Sequence, residues 1–167
     1  SMTVAQSPEL IFAIASTFQT LHQQELRIVR QTALDYLLSN LSAHTHWRKR
    51  TEADPRMPQV ALRARDYLHA HMHEDVDLNE LTAVTGVDRF RLNRAFKAAF
   101  GIAPHAYLVQ LRLAQARRQL AAGKSPAEVA AGLGFADQSH LGRWFKRAYG
   151  LTPARYQQRC TGLPDRR

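Results

Sequence analysis

The feature that most constrains this chain is an internal repeat. Leu92, Arg94, Phe96, Lys97, Gly101, Pro104 and Tyr107 recur 49 residues later as Leu141, Arg143, Phe145, Lys146, Gly150, Pro153 and Tyr156. The residues before each copy keep the same register, with Leu81 over Ala130 and Val84 over Leu133. A chain that repeats itself at this period must build one structural unit twice, and the apolar repeats at helical spacing make that unit α-helical.

Start and stop signals divide the repeat into helices. Asp77 with Glu80 forms a D-x-x-E capping box for a short helix over 78–84 that Gly86 ends. Asp88 caps a helix over 89–100 ended by Gly101, and Pro104 opens a long helix to about Ala122, before Gly123. In the second copy, Ser125-Pro126-Ala127-Glu128 starts a helix to about Gly132. Asp137 opens a helix to Tyr149, Gly150 closes it, and Pro153 begins a last turn near Tyr156. A first helix over 59–73 precedes both copies. Nothing alternates with the period of two that a half-buried strand shows, so the fold class is all-α. Each copy, a short helix, a tight turn and a longer helix, has the shape of a helix-turn-helix.

Placed at 100° intervals, the longer helix of each copy has one apolar and one polar face. Leu92, Ala95, Phe96 and Ala99 share the inner side of the first, with Phe90, Asn93, Arg94 and Lys97 opposite. In the second, Leu141, Trp144, Phe145 and Ala148 face inward and Ser139, Gly142, Arg143 and Lys146 outward, with Gln138 and His140 flanking near the start. A basic face on a lone helix is ordinarily just solvated. An Arg and a Lys three positions apart at the same register in two copies point instead to a shared ligand.

Charge identifies the class of that ligand. The formal net charge is +9, yet residues 1–87 carry eight Lys and Arg against ten Asp and Glu, whereas residues 88–159 carry thirteen against three. A surplus concentrated on the repeat predicts a polyanionic partner, and Arg, Asn and Gln are the side chains that pair with base edges. The 104–122 helix, about 27 Å long at 1.5 Å per residue, would set the two polar helices about one DNA turn apart, so that one chain reads successive major grooves.

The rest of the sequence is divided and screened on similar grounds. Residues 51–58, with two prolines, read as a linker between an N-terminal helical segment, 1–50, and the repeat-bearing domain, 59–159; residues 160–167 read as a flexible tail. Ile11, Ile14, Phe18, Leu21, Leu34, Leu37, Leu38 and Leu41 have helical spacing, consistent with one long helix or two short ones acting as a dimerisation or packing element. Ser1-Met2 reads as a tag remnant ahead of a start methionine. No apolar run approaches a membrane span and no secretory leader is evident, so a cytoplasmic location is expected. The single cysteine, Cys160, cannot form an internal disulfide. His69 and His73 share a helix face, with His71, His44 and His46 nearby, but two imidazoles leave a zinc site incomplete, and no metal or other cofactor is expected. Neither a glycine-rich phosphate loop, nor G-x-S-x-G, nor a catalytic carboxylate pair occurs, so the chain does not read as an enzyme.

The run from Gly134-Phe135 through Ser139, Leu141, Arg143, Phe145-Lys146, Gly150 and Pro153 to Tyr156 resembles the signature of AraC/XylS-type bacterial transcription regulators. The likeness extends back to about Val60 and includes Leu111-Arg112-Leu113 and Ala116. Leu141 stands where phenylalanine is common, and Gln157 follows Tyr156 where a second arginine is usual. The resemblance implies two homeodomain-like three-helix units joined by a linking helix, a first helix-turn-helix over 77–100 and a second over 125–149, on adjacent major grooves of an asymmetric site. It also implies activation of transcription through contact with RNA polymerase. Base reading is implied for Arg89, Phe90, Asn93 and Arg94 and for Gln138, Ser139, His140 and Arg143, and phosphate contact for Lys97, Lys146 and Arg147. Many such regulators carry a cupin-like effector domain first, and residues 8–50 resemble the helices that follow one. A small-molecule effector is expected only with such a domain. A helical dimerisation module with only non-specific affinity for DNA is the second reading.

Overall fold

The computed structural model describes residues 8–22, 25–43 and 54–162, and among them the secondary structure is helical throughout. In chain order the helices are α1 (Pro8–His22), α2 (Arg27–Ala43), α3 (Met57–Ala70), α4 (Leu78–Thr85), α5 (Arg89–Phe100), α6 (Pro104–Ala121), α7 (Pro126–Gly132), α8 (Gln138–Tyr149) and α9 (Pro153–Thr161). Helices α3, α4 and α5 pack as one unit; α7, α8 and α9 pack with α6 as the second.

The caps form as the sequence predicts. Asp77 Oδ1 accepts from Asn79 N at 2.6 Å and Asp77 N donates to Glu80 Oε2 at 3.0 Å, closing the box at the start of α4. Ser125 and Glu128 do the same for α7. Asp88 Oδ1 accepts from Arg91 N at 2.9 Å and Asp137 Oδ1 from His140 N at 2.7 Å, so both longer helices of the repeat begin on an aspartate. They also end alike, on Gly101 and Gly150 in the left-handed region at φ +78° and +76°, where a side chain would be strained.

The repeated aromatics build the same cluster twice. Phe96 lies 4.7 Å from Phe100 and 5.4 Å from Tyr107, ring centre to ring centre; Phe145 lies 4.7 Å from Tyr149 and 5.5 Å from Tyr156. Phe96 and Phe145 are fully buried, so each longer helix is anchored by one aromatic side chain whose burial contributes about 1.5 to 3 kcal/mol. One apolar core runs through both units and takes in Leu26, Ile28 and Val29 from the N-terminal segment.

Several expectations are corrected. Met57 and Pro58, read as linker, belong to α3, because proline suits a first helical turn. The last turn near Tyr156 extends into α9, capped by Thr152 Oγ1 and reaching Thr161, so Cys160 is helical rather than part of a flexible tail. Ala99 and Ala148, placed inward by angle, are exposed because they sit at the ends of α5 and α8, beyond the core. Of the two arrangements left open for the N-terminal segment, its described residues form two helices, on which Ile11, Phe12, Ile14, Phe18, Leu34 and Leu38 are exposed. What α1 and α2 bury is Ala13, Thr17, Ile28 and Val29. Residues 51–53 of the expected linker, residues 163–167, His44, His46 and Ser1-Met2 lie outside the described residues.

Candidate nucleic-acid interface

Helices α5 and α8 hold equivalent places, each starting on an aspartate cap and each buried along one side, through Leu92, Ala95 and Phe96 in α5 and through His140, Leu141 and Phe145 in α8. Burial of that side leaves the opposite one to solvent. Arg94 and Lys97 on α5 are exposed, as are Arg143, Lys146 and Arg147 on α8, together with Gln138 and Ser139 at its first turn. Phe90 is 42% exposed, and the Arg94 guanidinium carbon lies 5.5 Å from its ring centre, so the aromatic ring backs the cation. Arg147 lies over the Trp144 ring at 5.6 Å. The exposed face of α5 sets cations beside an aromatic ring, and that of α8 combines cations with the hydrogen-bonding Gln138 and Ser139, surfaces suited to phosphate oxygens and base edges.

Three of the predicted residues are placed differently. His140 is fully buried: its Nδ1 accepts from Ala136 N at 3.1 Å and its Nε2 pairs with Glu25 Oε1. The helical angle puts it at the edge of the exposed face, and the chain that covers it comes from the N-terminal segment. Asn93 is half-buried, with its Oδ1 enclosed and without a hydrogen bond among the described residues. Arg89 is half-buried as well; its Nη1 donates to Asp35 Oδ1 at 3.2 Å and its Nη2 to Asn79 Oδ1 at 2.8 Å.

Glu25 and Asp35 are neighbours of the candidate site that sequence reasoning missed, although they are the only acidic residues between positions 10 and 51. Burial pushes the Glu25 carboxyl up, but hydrogen bonds from His140 and Trp144 and the nearby charges of His140 and Arg143 outweigh it and hold the pKa below the ordinary value. The Asp77 carboxyl is also held down against burial, by Asn79 N, Gln31, Arg27 and Arg89. The histidines weighed for a metal have other partners. His69 Nε2 meets Tyr107 Oη at 3.0 Å and His73 Nδ1 meets Gly132 O at 2.9 Å, and no group of three metal-ligating side chains occurs among the described residues.

Comparison with known proteins shows what the fold resembles. A family profile described as "Helix-turn-helix domain" matches residues 81–159. The DNA-binding domain of AdpA, a global transcriptional factor solved in complex with a target DNA, is 29% identical; the likeness covers 68% of this chain and all of that one, with a TM-score of 0.59. A transcriptional regulator from Chromobacterium violaceum, described by its AraC-type DNA-binding domain, shares the fold at 24% identity and a TM-score of 0.56, over 64% of this chain and 96% of that one. Residues 81–159 are a helix-turn-helix domain, similar to those of AraC-type regulators. The chain is also similar to the uncharacterized HTH-type transcriptional regulator YbfI of Bacillus subtilis, 33% identical over 82% of this chain. This chain spans about half the length of YbfI, 47%. These relatives are regulators rather than enzymes.

Proposed function

We propose that the protein is a sequence-specific transcription regulator that inserts α5 and α8 into successive major grooves of an asymmetric promoter site and activates transcription through contact with RNA polymerase. The observation that carries this reading is the duplicated exposed pair, Arg94 with Lys97 and Arg143 with Lys146, on two equivalent helices joined by α6. At 1.5 Å per residue α6 is about 27 Å long, close to the rise of a DNA turn. The domain of AdpA, seen on a target DNA, supports the same use of the fold here.

In this proposal Arg89, Phe90, Asn93 and Arg94 read one groove and Gln138, Ser139 and Arg143 the other, with His140 buried behind them, while Lys97, Lys146 and Arg147 hold phosphates. The exposed apolar residues of α1 and α2, including Phe12, Phe18 and Leu38, make residues 8–42 a dimerisation element. A small-molecule effector enters only through a domain beyond these residues. The protein acts in the bacterial cytoplasm, where its DNA is; no described helix is long and apolar enough to cross a membrane.

The test is selection of sites from a random duplex pool near physiological salt, followed by titration of the winner against a scrambled duplex. Two short motifs about one helical turn apart are expected. Equal affinity for both duplexes at every salt concentration would replace this reading with that of a helical module with non-specific affinity only.

A further inference from the structure

The α1–α2 hairpin grips both of the repeat's longer helices, and it does so with carboxylates. Ahead of α2, Glu25 Oε1 accepts from Trp144 Nε1 at 3.0 Å and pairs with His140 Nε2, in the first two turns of α8. Its side chain is only 11% exposed. Beside it a cleft is lined by Gln19 of α1, Glu25, Arg143, Trp144 and Arg147, so the two arginines of α8 border the same carboxylate. Further along α2, Asp35 Oδ1 accepts from Arg89, the first residue of α5, and Asp35 Oδ2 is enclosed. Between these points Arg27 Nη2 donates to Asp77 Oδ2 at 2.6 Å, and Gln31 bonds both Asp77 Oδ1 and Leu78 N, which fastens α2 to the cap of α4.

Three of the residues that the proposal gives to DNA, Arg89, Arg143 and Arg147, thus face an acidic side chain or line the cleft that holds it, and His140, read from the sequence as another, is covered by it. A carboxylate oxygen is the same kind of acceptor as a phosphate oxygen or a guanine edge, and one donor cannot serve both at full strength. Two fixed negative charges at this surface also repel the DNA backbone.

We propose that the α1–α2 hairpin is an intramolecular competitor for DNA, in which Glu25 and Asp35 occupy donors on α8 and α5 that nucleic acid must take from them. The inference rests on the reading of α5 and α8 as the DNA-facing helices. It makes the hairpin a regulatory element: whatever loosens α2 from the α4 cap raises affinity without touching a base-reading residue.

The experiment compares the parent with Glu25→Gln, Asp35→Asn and the double variant, titrated by fluorescence anisotropy with the selected duplex and a scrambled one. Hydrogen exchange of the parent is followed with and without the selected duplex. The double variant is expected to bind the selected duplex about 3- to 10-fold more tightly than the parent. Amides of α1 and α2 are expected to exchange faster in the parent's complex, because the hairpin has let go. Unchanged or weaker binding by a double variant that melts like the parent overturns the proposal. So does added protection of α1 and α2 on DNA, which would make the hairpin a brace; this measurement needs no variant to fold. If neither parent nor double variant selects a sequence, the DNA-reading function itself has failed. If only the double variant does, the competitor is confirmed.

Discussion

Arg112 Nη1 donates to the carbonyl oxygen of Gly134 at 2.7 Å, across the space between the linking helix and the turn that precedes α8. The same guanidinium donates from Nε to Met72 O at 2.6 Å and from Nη2 to Glu74 O at 2.5 Å, both in the turn after α3. One fully buried cation therefore ties the first unit to the second through three backbone carbonyls. Burial pulls its pKa down to about 10, which leaves it charged at neutral pH.

Arg112→Met is expected to destabilise the fold by about 3 to 5 kcal/mol, because it orphans one buried and two partly buried carbonyls while filling most of the volume. Arg112→Lys should fall between, since an ammonium cannot reproduce the planar fork that reaches both turns. Urea denaturation measures both; a Met variant within about 1 kcal/mol of the parent would show that the three bonds contribute little net stability.

Gly134 has φ +73°, and a Cβ there would lie 2.7 Å from His73 O and 2.9 Å from Arg112 Nη2. Gly134→Ala therefore combines left-handed strain, about 1 to 2 kcal/mol, with a clash against backbone and a buried side chain, for a total of about 3 kcal/mol. Gly142 is the contrast: it is helical, with open space where its Cβ would go. Gly142→Ala is expected to raise stability by about 1 kcal/mol. Thermal melts of the pair that shift in the same direction would contradict this account.

Phe96 and Phe145 are the buried centres of the two aromatic clusters, and truncating either to alanine should cost roughly 3 to 5 kcal/mol by opening a cavity. Similar losses are expected because the two clusters have matching ring separations. If only one truncation is costly by denaturant titration, the units differ in packing despite their shared pattern.

These residues also show what a single sequence can tell. Helix starts were legible at Asp77, Asp88, Ser125 and Asp137 because a cap is chemistry within three residues. The equivalence of α5 and α8 was legible because the repeat preserves both faces. The burial of His140 was not, since its cover, Glu25, lies 115 positions away in sequence and local periodicity carries no information about it. The exposure of Ile11, Phe18 and Leu38 was hidden for a related reason: helical spacing marks a face that needs cover, not what covers it. Arg112 looked like one more cation, and its three carbonyl acceptors exist only once two turns meet.

His105, near the start of α6, carries a Nδ1 that is buried without a hydrogen bond among the described residues. Burial, with Lys97 nearby, lowers its pKa from 6.5 to about 4. The unfolded chain then binds a proton between those values that the folded chain refuses. Stability is full above pH 6.5 and falls as the pH drops toward 4, by up to about 3 kcal/mol from this group. His105→Gln should flatten that part of a stability curve measured by denaturant titration. A slope unchanged by the substitution would assign the loss to other groups, Asp77 among them, whose lowered pKa acts in the same direction further into acid.

Arg94 and Arg143 stand at equivalent positions on helices that the proposal assigns to different grooves, so their loss should be separable by base position. Arg94→Ala and Arg143→Ala are each expected to weaken the selected duplex by about 1 to 3 kcal/mol, each relaxing preference in one motif and leaving the other intact. Lys97 and Lys146 are exposed cations one helical turn further along, and the proposal gives them phosphates rather than bases. Lys97→Ala and Lys146→Ala should therefore weaken selected and scrambled duplexes alike, each lowering the salt slope by about one unit as one ammonium leaves the phosphate backbone. Repeating the random-pool selection with each arginine variant, and the salt titration with each lysine variant, separates reading from holding. Relaxation of both motifs by a single arginine variant would mean that the two helices do not read independently, and an unmoved slope would place the lysines away from the backbone.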